Sequence, residues 1–352
     1  MTSLNSFEPI AIVGRSCVLP GALSPAQLWK AVVSGTDLVS SAPPERWRVD
    51  RDDVTCRPGT DSADRTYSDR GGYVRGFEEV WDPDGFALPA SEVAGLDAGF
   101  LWALHCAREA LRDAGDERFG AVDRSRVSAV YGNLGFPAGE MTAYAEAVWT
   151  GGARPDPRNR FMSGGNATLL REALGLSQDT FCIDTACASS LYAIKLACDQ
   201  LHDGAADMVL AGAVNRSDDL FIHIGFCALQ ALSRSGQSRP FHAGADGLLP
   251  AEGAGFLALK RLADAERDGD RIHGVIRGVG LSNDGRGRGF LAPLEDGQAR
   301  AIRAAYEVSG LSPSDVSLLE CHATGTKVGD AVEIASSAAV FAGTSDVPIG
   351  SL

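Results

Sequence analysis

Short apolar runs alternate with stretches of helical periodicity along most of the chain. Pro9-Ile10-Ala11-Ile12-Val13-Gly14 reads as a buried strand. Ser24-Pro25 then opens a helix, with Ser as N-cap and Pro at the first helical position. Leu28, Trp29, Val32 and Val33 give that helix an apolar face. Periodicity predicts further helices over Phe100–Ala114, Ala167–Leu174, Ser189–Leu201, Gln298–Ser309 and Val328–Val340. Apolar runs predict strands over Val127–Tyr131, Thr180–Ile183, Met208–Val214, Gly255–Leu259, Ile272–Leu281 and Val316–Glu320. Residues 36–95 are rich in Pro, Asp, Arg and Gly with weak periodicity. They read as a long irregular excursion, which in a compact domain usually serves function or an interface.

Strands alternating with helices predict an α/β fold with largely parallel sheets covered on both faces. The near-continuous apolar runs Met208-Val209-Leu210-Ala211 and Phe256-Leu257-Ala258-Leu259 suit that burial. No short repeat is visible. Pro348-Ile349-Gly350-Ser351-Leu352 looks like a strand stopped midway, so the chain is expected to belong to a longer polypeptide. Met1 just before the first strand would make it the leading domain of that polypeptide.

With 352 residues and 45% hydrophobic content there is ample chain for a large core. The net charge of −14 disfavours nucleic acid and anionic membranes as general partners, since both select a basic face. The polar stretch Met1 to Pro9 lacks a secretory signal, and no run reaches the ~20 apolar residues of a membrane span, so a cytoplasmic protein is expected. Eight cysteines occur without any C-x-x-C pair, which points away from zinc and disulfides. Most should be reduced, buried, small apolar groups. Neither a G-x-x-x-x-G-K-[ST] loop nor a G-x-G-x-x-G is present, so no nucleotide cofactor is supported.

Two segments carry chemistry. In Asp184-Thr185-Ala186-Cys187-Ala188-Ser189-Ser190 a short strand precedes the Cys and a helix follows it. Small residues permit a sharp turn, and backbone N–H groups at a helix start favour a thiolate and a developing oxyanion. Read alone, the segment fits a buried structural Cys equally well. In Glu320-Cys321-His322-Ala323-Thr324-Gly325-Thr326-Lys327-Val328-Gly329-Asp330 a strand ends in a polar turn. A His at the carboxyl end of a strand sits where α/β sheets bind ligands, although a lone His more often caps a turn.

Together these segments resemble the two signatures of β-ketoacyl synthases, D-T-A-C-[SA]-S-S and E-[AC]-H-[GA]-T-G-T-x-x-G-D. Ile10–Gly14, Trp81-Asp82-Pro83-Asp84-Gly85-Phe86, Arg239-Pro240-Phe241, Ala245-Asp246-Gly247 and Glu252-Gly253 agree with that family in order, over nearly the whole chain. The resemblance implies a thiolase-like fold of two similar α/β halves in α-β-α-β-α layers, usually dimeric. Residues 1–260 would form the half with the nucleophile, and residues 261–352 the start of an incomplete second half. It implies that Cys187 accepts the acyl chain from a carrier protein's phosphopantetheine arm. His322 would bind the malonyl thioester and favour its decarboxylation, with no metal and no cofactor bound directly. The carbanion equivalent would then attack the acyl-Cys carbonyl. Thr324 and Thr326 would meet the pantetheine amides, or simply stabilise the turn. Asp184, Glu252 and Asp330 would support the site structurally. Implied partners are an acyl carrier protein, an acyltransferase and other domains of the same synthase, and a second copy of the chain.

The chain departs from the family pattern in places. The second catalytic His and the Lys expected in a K-x-N-x-G-H segment would lie beyond Leu352, as would a Gly-Phe-Gly-type loop. Asp97-Ala98-Gly99 stands where D-P-Q is usual. Gly132-Asn133-Leu134 and Leu191–Asp199 look more like iterative type I systems, such as those making polyunsaturated fatty acids or enediynes. Rival readings are a degenerate ketosynthase limited to acyl transfer or decarboxylation, a non-catalytic chain-length-type scaffold, and a thiolase. The retained Cys187 argues against the scaffold, and the His322-Ala323-Thr324-Gly325-Thr326 turn against the thiolase. Arg286-Gly287-Arg288-Gly289 is a basic loop that suits either an acidic carrier protein or solvent.

Overall fold

The structure is a computed structural model of the chain, described for residues 7–60, 64–117, 122–160, 164–287, 289, 292–344 and 346–351. Met1 and Arg288 lie outside the described residues. The strands are β1 (Ile10–Val18), β2 (Ser40–Ser41), β3 (Arg70–Gly71), β4 (Val127–Asn133), β5 (Thr180–Ile183), β6 (Met208–Asn215), β7 (Gly253–Arg261), β8 (Gly274–Ile276), β9 (Leu319–Glu320) and β10 (Ile349–Gly350). The helices are α1 (Pro25–Ser34), α2 (Arg51–Val54), α3 (Ala90–Val93), α4 (Ala98–Asp113), α5 (Gly139–Thr150), α6 (Gly164–Leu174), α7 (Ser189–His202), α8 (Asp219–Ala228), α9 (Leu262–Asp268), α10 (Glu295–Ser309) and α11 (Lys327–Phe341).

Six strands form the main sheet in the order β5-β4-β6-β7-β1-β8. Helices α4 and α6 cover one face, where Phe100, Leu104, Leu111, Leu170, Tyr131 and Phe256 build the larger core. Helix α7 covers the other, burying Ala193, Ala197, Cys198 and Leu201 against Val130, Val209 and Ala211. Burial on both faces is why these strands read as unbroken apolar runs. The sheet is mixed, not largely parallel. Only β4 with β5 and β4 with β6 run parallel, while β6/β7, β7/β1 and β1/β8 are antiparallel. A continuous apolar run reports burial on two faces, and it carries no information on direction.

Close approach of backbone to backbone sets several positions. A Cβ at Gly14 would lie 2.1 Å from the Ala110 carbonyl oxygen, so only glycine lets β1 seat against α4. The expected strand over Ile272–Leu281 shrinks to β8 for a related reason. A Cβ at Gly280 would meet the Ala301 carbonyl at 2.1 Å, so this segment lies along α10 instead of pairing further. Likewise, Val316–Glu320 pairs only as β9, parallel to β10. Helix α1 begins as expected, with the Ser24 side chain accepting from Gln27 N–H. Helices α5 and α8 escape the sequence pattern because their apolar residues are spread around the helix instead of gathered on one face. Among the described residues no helix is long and apolar enough to cross a membrane.

The excursion over residues 36–95 is tied to the sheet by a buried ionic network. Arg46 donates to Asp219 at 2.7 Å and also pairs with Glu252, while Arg216 approaches Glu252 at 3.5 Å. The Glu252 carboxylate further accepts from Val74 N–H at 2.8 Å, and its own N–H donates to the Gly72 carbonyl. Removing one member of such a buried network strands the opposite charge. Glu252→Ala should therefore lower unfolding stability by about 3–5 kcal/mol in a denaturant titration. A loss under ~1 kcal/mol would mean the two arginines find other partners.

Candidate active site

Strand β5 ends at Ile183, and the chain must reverse sharply to begin α7 at Ser189. Asp184 organises the reversal. Its carboxylate accepts from Ala186 N–H at 3.0 Å and from Gly135 N–H at 2.9 Å. Ser189 locks the other side, accepting from Thr185 N–H at 2.9 Å and donating to the Ala186 carbonyl at 2.7 Å. Between them Ala186 adopts φ 53°, a left-handed conformation costing a non-glycine residue about 1–3 kcal/mol. That turn carries Cys187 to the surface, where it is exposed. Gly132 on β4 permits the arrangement, since a Cβ there would fall 2.6 Å from the Ser189 Cβ.

A second strained turn faces the first. After β9, His322 N–H and Ala323 N–H both donate to the Glu333 carboxylate, at 2.6 and 2.8 Å. Ala323 has φ 48° and Gly325 φ 74°. Asp330 then binds two segments at once, accepting from Gly325 N–H at 3.0 Å and from Phe241 N–H at 2.7 Å. Gly247 N–H donates to the Gly325 carbonyl at 3.0 Å, and a Cβ on Gly325 would sit 2.9 Å from the Gly247 carbonyl oxygen. The turn is thus fastened to the Arg239–Gly247 segment. Thr326 caps α11 by accepting from Gly329 N–H, and the Thr324 and Thr326 hydroxyls share a hydrogen bond of 2.9 Å.

The two turns bring the Cys187 thiol and the His322 imidazole within reach of each other's electrostatic influence. Hydrogen bonding toward His322 and the imidazolium charge draw the Cys187 thiol below the usual range, against an opposing partial desolvation. Reciprocally, the bond to the thiolate raises His322, and the nearby Glu333 and Asp330 charges add to this. The other perturbed thiols move in the opposite direction. Burial pushes Cys17 and Cys182 up to about 11 and Cys198 up to about 12. Among the described residues Cys187 is the one thiol shifted toward ionisation.

His322, Thr324 and Thr326 line a cavity of about 860 Å³ together with Phe226, Leu248 and Glu333. Asp184 and Asp330 act on backbone N–H groups of the two turns. Glu252 is not brought to this pair, and its side chain is engaged with Arg46, Arg216 and Val74 N–H. Glu333 is the functional residue that the sequence reading missed. Its place in α11, three positions after Asp330, puts both carboxylates on the side of the helix that faces the turn.

Residues 7–265 match the family "Beta-ketoacyl synthase, N-terminal domain", and residues 273–352 match its C-terminal domain. The chain is 36% identical over 350 residues to a PKS-NRPS hybrid synthetase of Aspergillus niger, covering 98% of this chain and 18% of that protein. It is 36% identical over 333 residues to a pikromycin polyketide synthase component of Streptomyces venezuelae, covering 94% of this chain and 21% of that one. Among solved structures, a PfaC keto synthase–chain length factor protein superposes with TM-score 0.91 at 36% identity, covering 98% of this chain and 39% of that one. An oxazolomycin ketosynthase domain of Streptomyces albus superposes at 0.88 with 31% identity, covering 98% of this chain and 58% of that one. The chain thus spans a fifth or so of the curated relatives, and its thiolase-like fold is theirs. The paired signatures, the fold and these likenesses agree that the chain belongs to the β-ketoacyl synthase family.

Proposed function

We propose that the chain performs the decarboxylative Claisen condensation of polyketide or fatty acid chain elongation, as an acyltransferase acting on carrier-bound thioesters. The observation that carries this reading is the Cys187–His322 contact, which favours a thiolate next to a proton-holding imidazole. In the first step the Cys187 sulfur attacks the thioester carbonyl of an acyl carrier protein. The carbon–sulfur bond to the phosphopantetheine arm breaks, and the departing thiolate takes the proton that Cys187 had given to His322. In the second, a malonyl thioester bound near His322 loses carbon dioxide. The resulting enolate attacks the acyl-Cys carbonyl, forming the carbon–carbon bond and releasing the Cys187 thiolate. Splitting the reaction through a covalent intermediate lowers each barrier.

Thr324 and Thr326 are suited to the amides of the pantetheine arm, whereas Asp184, Asp330 and Glu252 act as structural supports. A division of the chain into residues 1–260 and 261–352, with Cys187 in the first part and His322 in the second, belongs to this reading. A homodimer, neighbouring synthase domains including an acyltransferase, and a cytoplasmic setting complete the reading, which rests on the multidomain relatives.

Two outcomes are expected. Incubation with an acyl carrier protein thioester should add one acyl group at Cys187, detectable by mass spectrometry of the digested protein. Cys187→Ala should reduce that adduct to background, and acylation elsewhere at equal yield would disprove the nucleophile. Alkylation by iodoacetamide should also report the depressed thiol. A lowered pKa enlarges the thiolate fraction at every pH below the ordinary thiol value. Throughout that range His322→Ala should slow labelling, and it should move the pH inflection upward. Well above the ordinary value the two proteins should label alike.

A further inference from the structure

The excursion over residues 36–95 grips one face of α8 from end to end. At the first turn Asp219 accepts from Arg46 at 2.7 Å. One turn on, the His223 imidazole lies 3.3 Å from both the Tyr73 hydroxyl and the Arg70 carbonyl. Cys227 stands one turn further. Residues 219, 223 and 227 share a face because they are four apart. The part of the excursion that meets Cys227 is built from two of its own segments. Cys56 N–H donates to the Thr66 carbonyl, and Thr66 N–H to the Val54 carbonyl, each at 2.9 Å. The Tyr67 hydroxyl donates to the Leu232 carbonyl at 2.6 Å, just past the end of α8. This pairing sets Cys56 beside Cys227. Burial raises the Cys227 thiol, the adjacent Tyr67 backbone opposes that rise, and the Cys56 thiol adds to it. The third grip on this face is therefore a pair of free thiols, Cys56 half-buried and Cys227 buried.

A different face of the same helix end looks into the cavity beside His322. Phe226, Leu229 and Gln230 line that cavity. The end is closed by Gln230 N–H to the Cys227 carbonyl and Ala231 N–H to the Phe226 carbonyl, both at 2.9 Å, with Gln230 at φ 55°. The two thiols thus sit behind a strained piece of the cavity wall. We propose that Cys56 and Cys227 form a reversible disulfide, a redox modification site that fastens the excursion to α8 and steadies the cavity wall. The oxidant is a small-molecule disulfide such as that of glutathione. Cys56, partly open to solvent, reacts first. Its sulfur bonds to one glutathione sulfur, and the other glutathione leaves as a thiol carrying the Cys56 proton. The Cys227 sulfur then attacks the Cys56 sulfur, and the second glutathione leaves with the Cys227 proton. Two protein thiols and one glutathione disulfide become one protein disulfide and two glutathione thiols. Neither step involves Cys187 or His322. A reducing compartment keeps such a pair open, and an oxidising shift closes it.

The test equilibrates the chain in mixtures of oxidised and reduced glutathione, as wild type and as Cys187→Ala, which lacks the exposed thiol of the first turn. Free thiols are blocked with N-ethylmaleimide, and the protein is digested without reduction. Mass spectrometry should find the Cys56 peptide joined to the Cys227 peptide in both proteins, and dithiothreitol should part them. Cys56→Ser should abolish the link and leave Cys227 free. Cys227→Ala should trap glutathione on Cys56, since no second thiol can displace it. Hydrogen exchange over residues 225–232 should slow about tenfold when the wild type is oxidised and stay unchanged in Cys56→Ser. Glutathione retained on Cys56 in the wild type, with Cys227 alkylated, would overturn the pair. So would a link from either cysteine to a different partner. A Cys56–Cys227 link without slower exchange would overturn the hold on the cavity wall.

Discussion

The candidate site is organised around one juxtaposition, that of the Cys187 thiol with the His322 imidazole. Neither group is reactive by its own nature at neutral pH. Placed in contact, each stabilises the charged form of the other, so the pair ionises where the separate groups would not. That contact demands accuracy, because a hydrogen bond weakens steeply with misalignment. The surrounding structure is best understood as the means of holding two turns, from distant parts of the chain, in one relative position.

The cost of that placement is visible in the backbone. Ala186 and Ala323, adjacent to Cys187 and His322, both sit in the left-handed region. Such residues persist only where neighbours over-determine them. Here the neighbours are carboxylates and a hydroxyl that grip backbone N–H groups. Asp184 and Ser189 hold the first turn, and Glu333 and Asp330 hold the second. Carboxylate to amide bonds are charge-assisted and directional, which suits them to fixing a strained turn. The same division of labour explains why Glu252, likewise acidic, plays a different part. It binds two arginines and secures the excursion to the sheet, where charge neutralisation matters more than direction.

Much of this was legible in the sequence, and the limits are physical. Strands buried on both faces announce themselves as apolar runs, so β1, β4, β6 and β7 were readable from Ile10–Gly14, Val127–Tyr131 and their counterparts. Their directions were not, because two-sided burial looks the same in parallel and antiparallel pairs. Helices α5 and α8 carry their apolar residues all around and so imprint no one-sided period on the chain. Cys187 and His322 were singled out through the likeness of their two segments to the family signatures, since read alone the first suits a structural Cys equally well and the second a turn-capping His better. Glu333 was not, since a helical glutamate is ordinarily a solvated residue, and only the fold turns its carboxylate onto the His322 turn. The bond from Asp330 to Phe241 N–H spans segments whose proximity no local pattern encodes.

The central claim is that Cys187 and His322 ionise as a pair. Its most direct test is a proton titration of His322 by NMR on protein with isotope-labelled histidine, in the wild type and in Cys187→Ala. The account predicts that His322 titrates above an ordinary imidazole in the wild type and that its midpoint falls when the thiol is removed. A wild-type midpoint at or below the ordinary value, unmoved by Cys187→Ala, would contradict it.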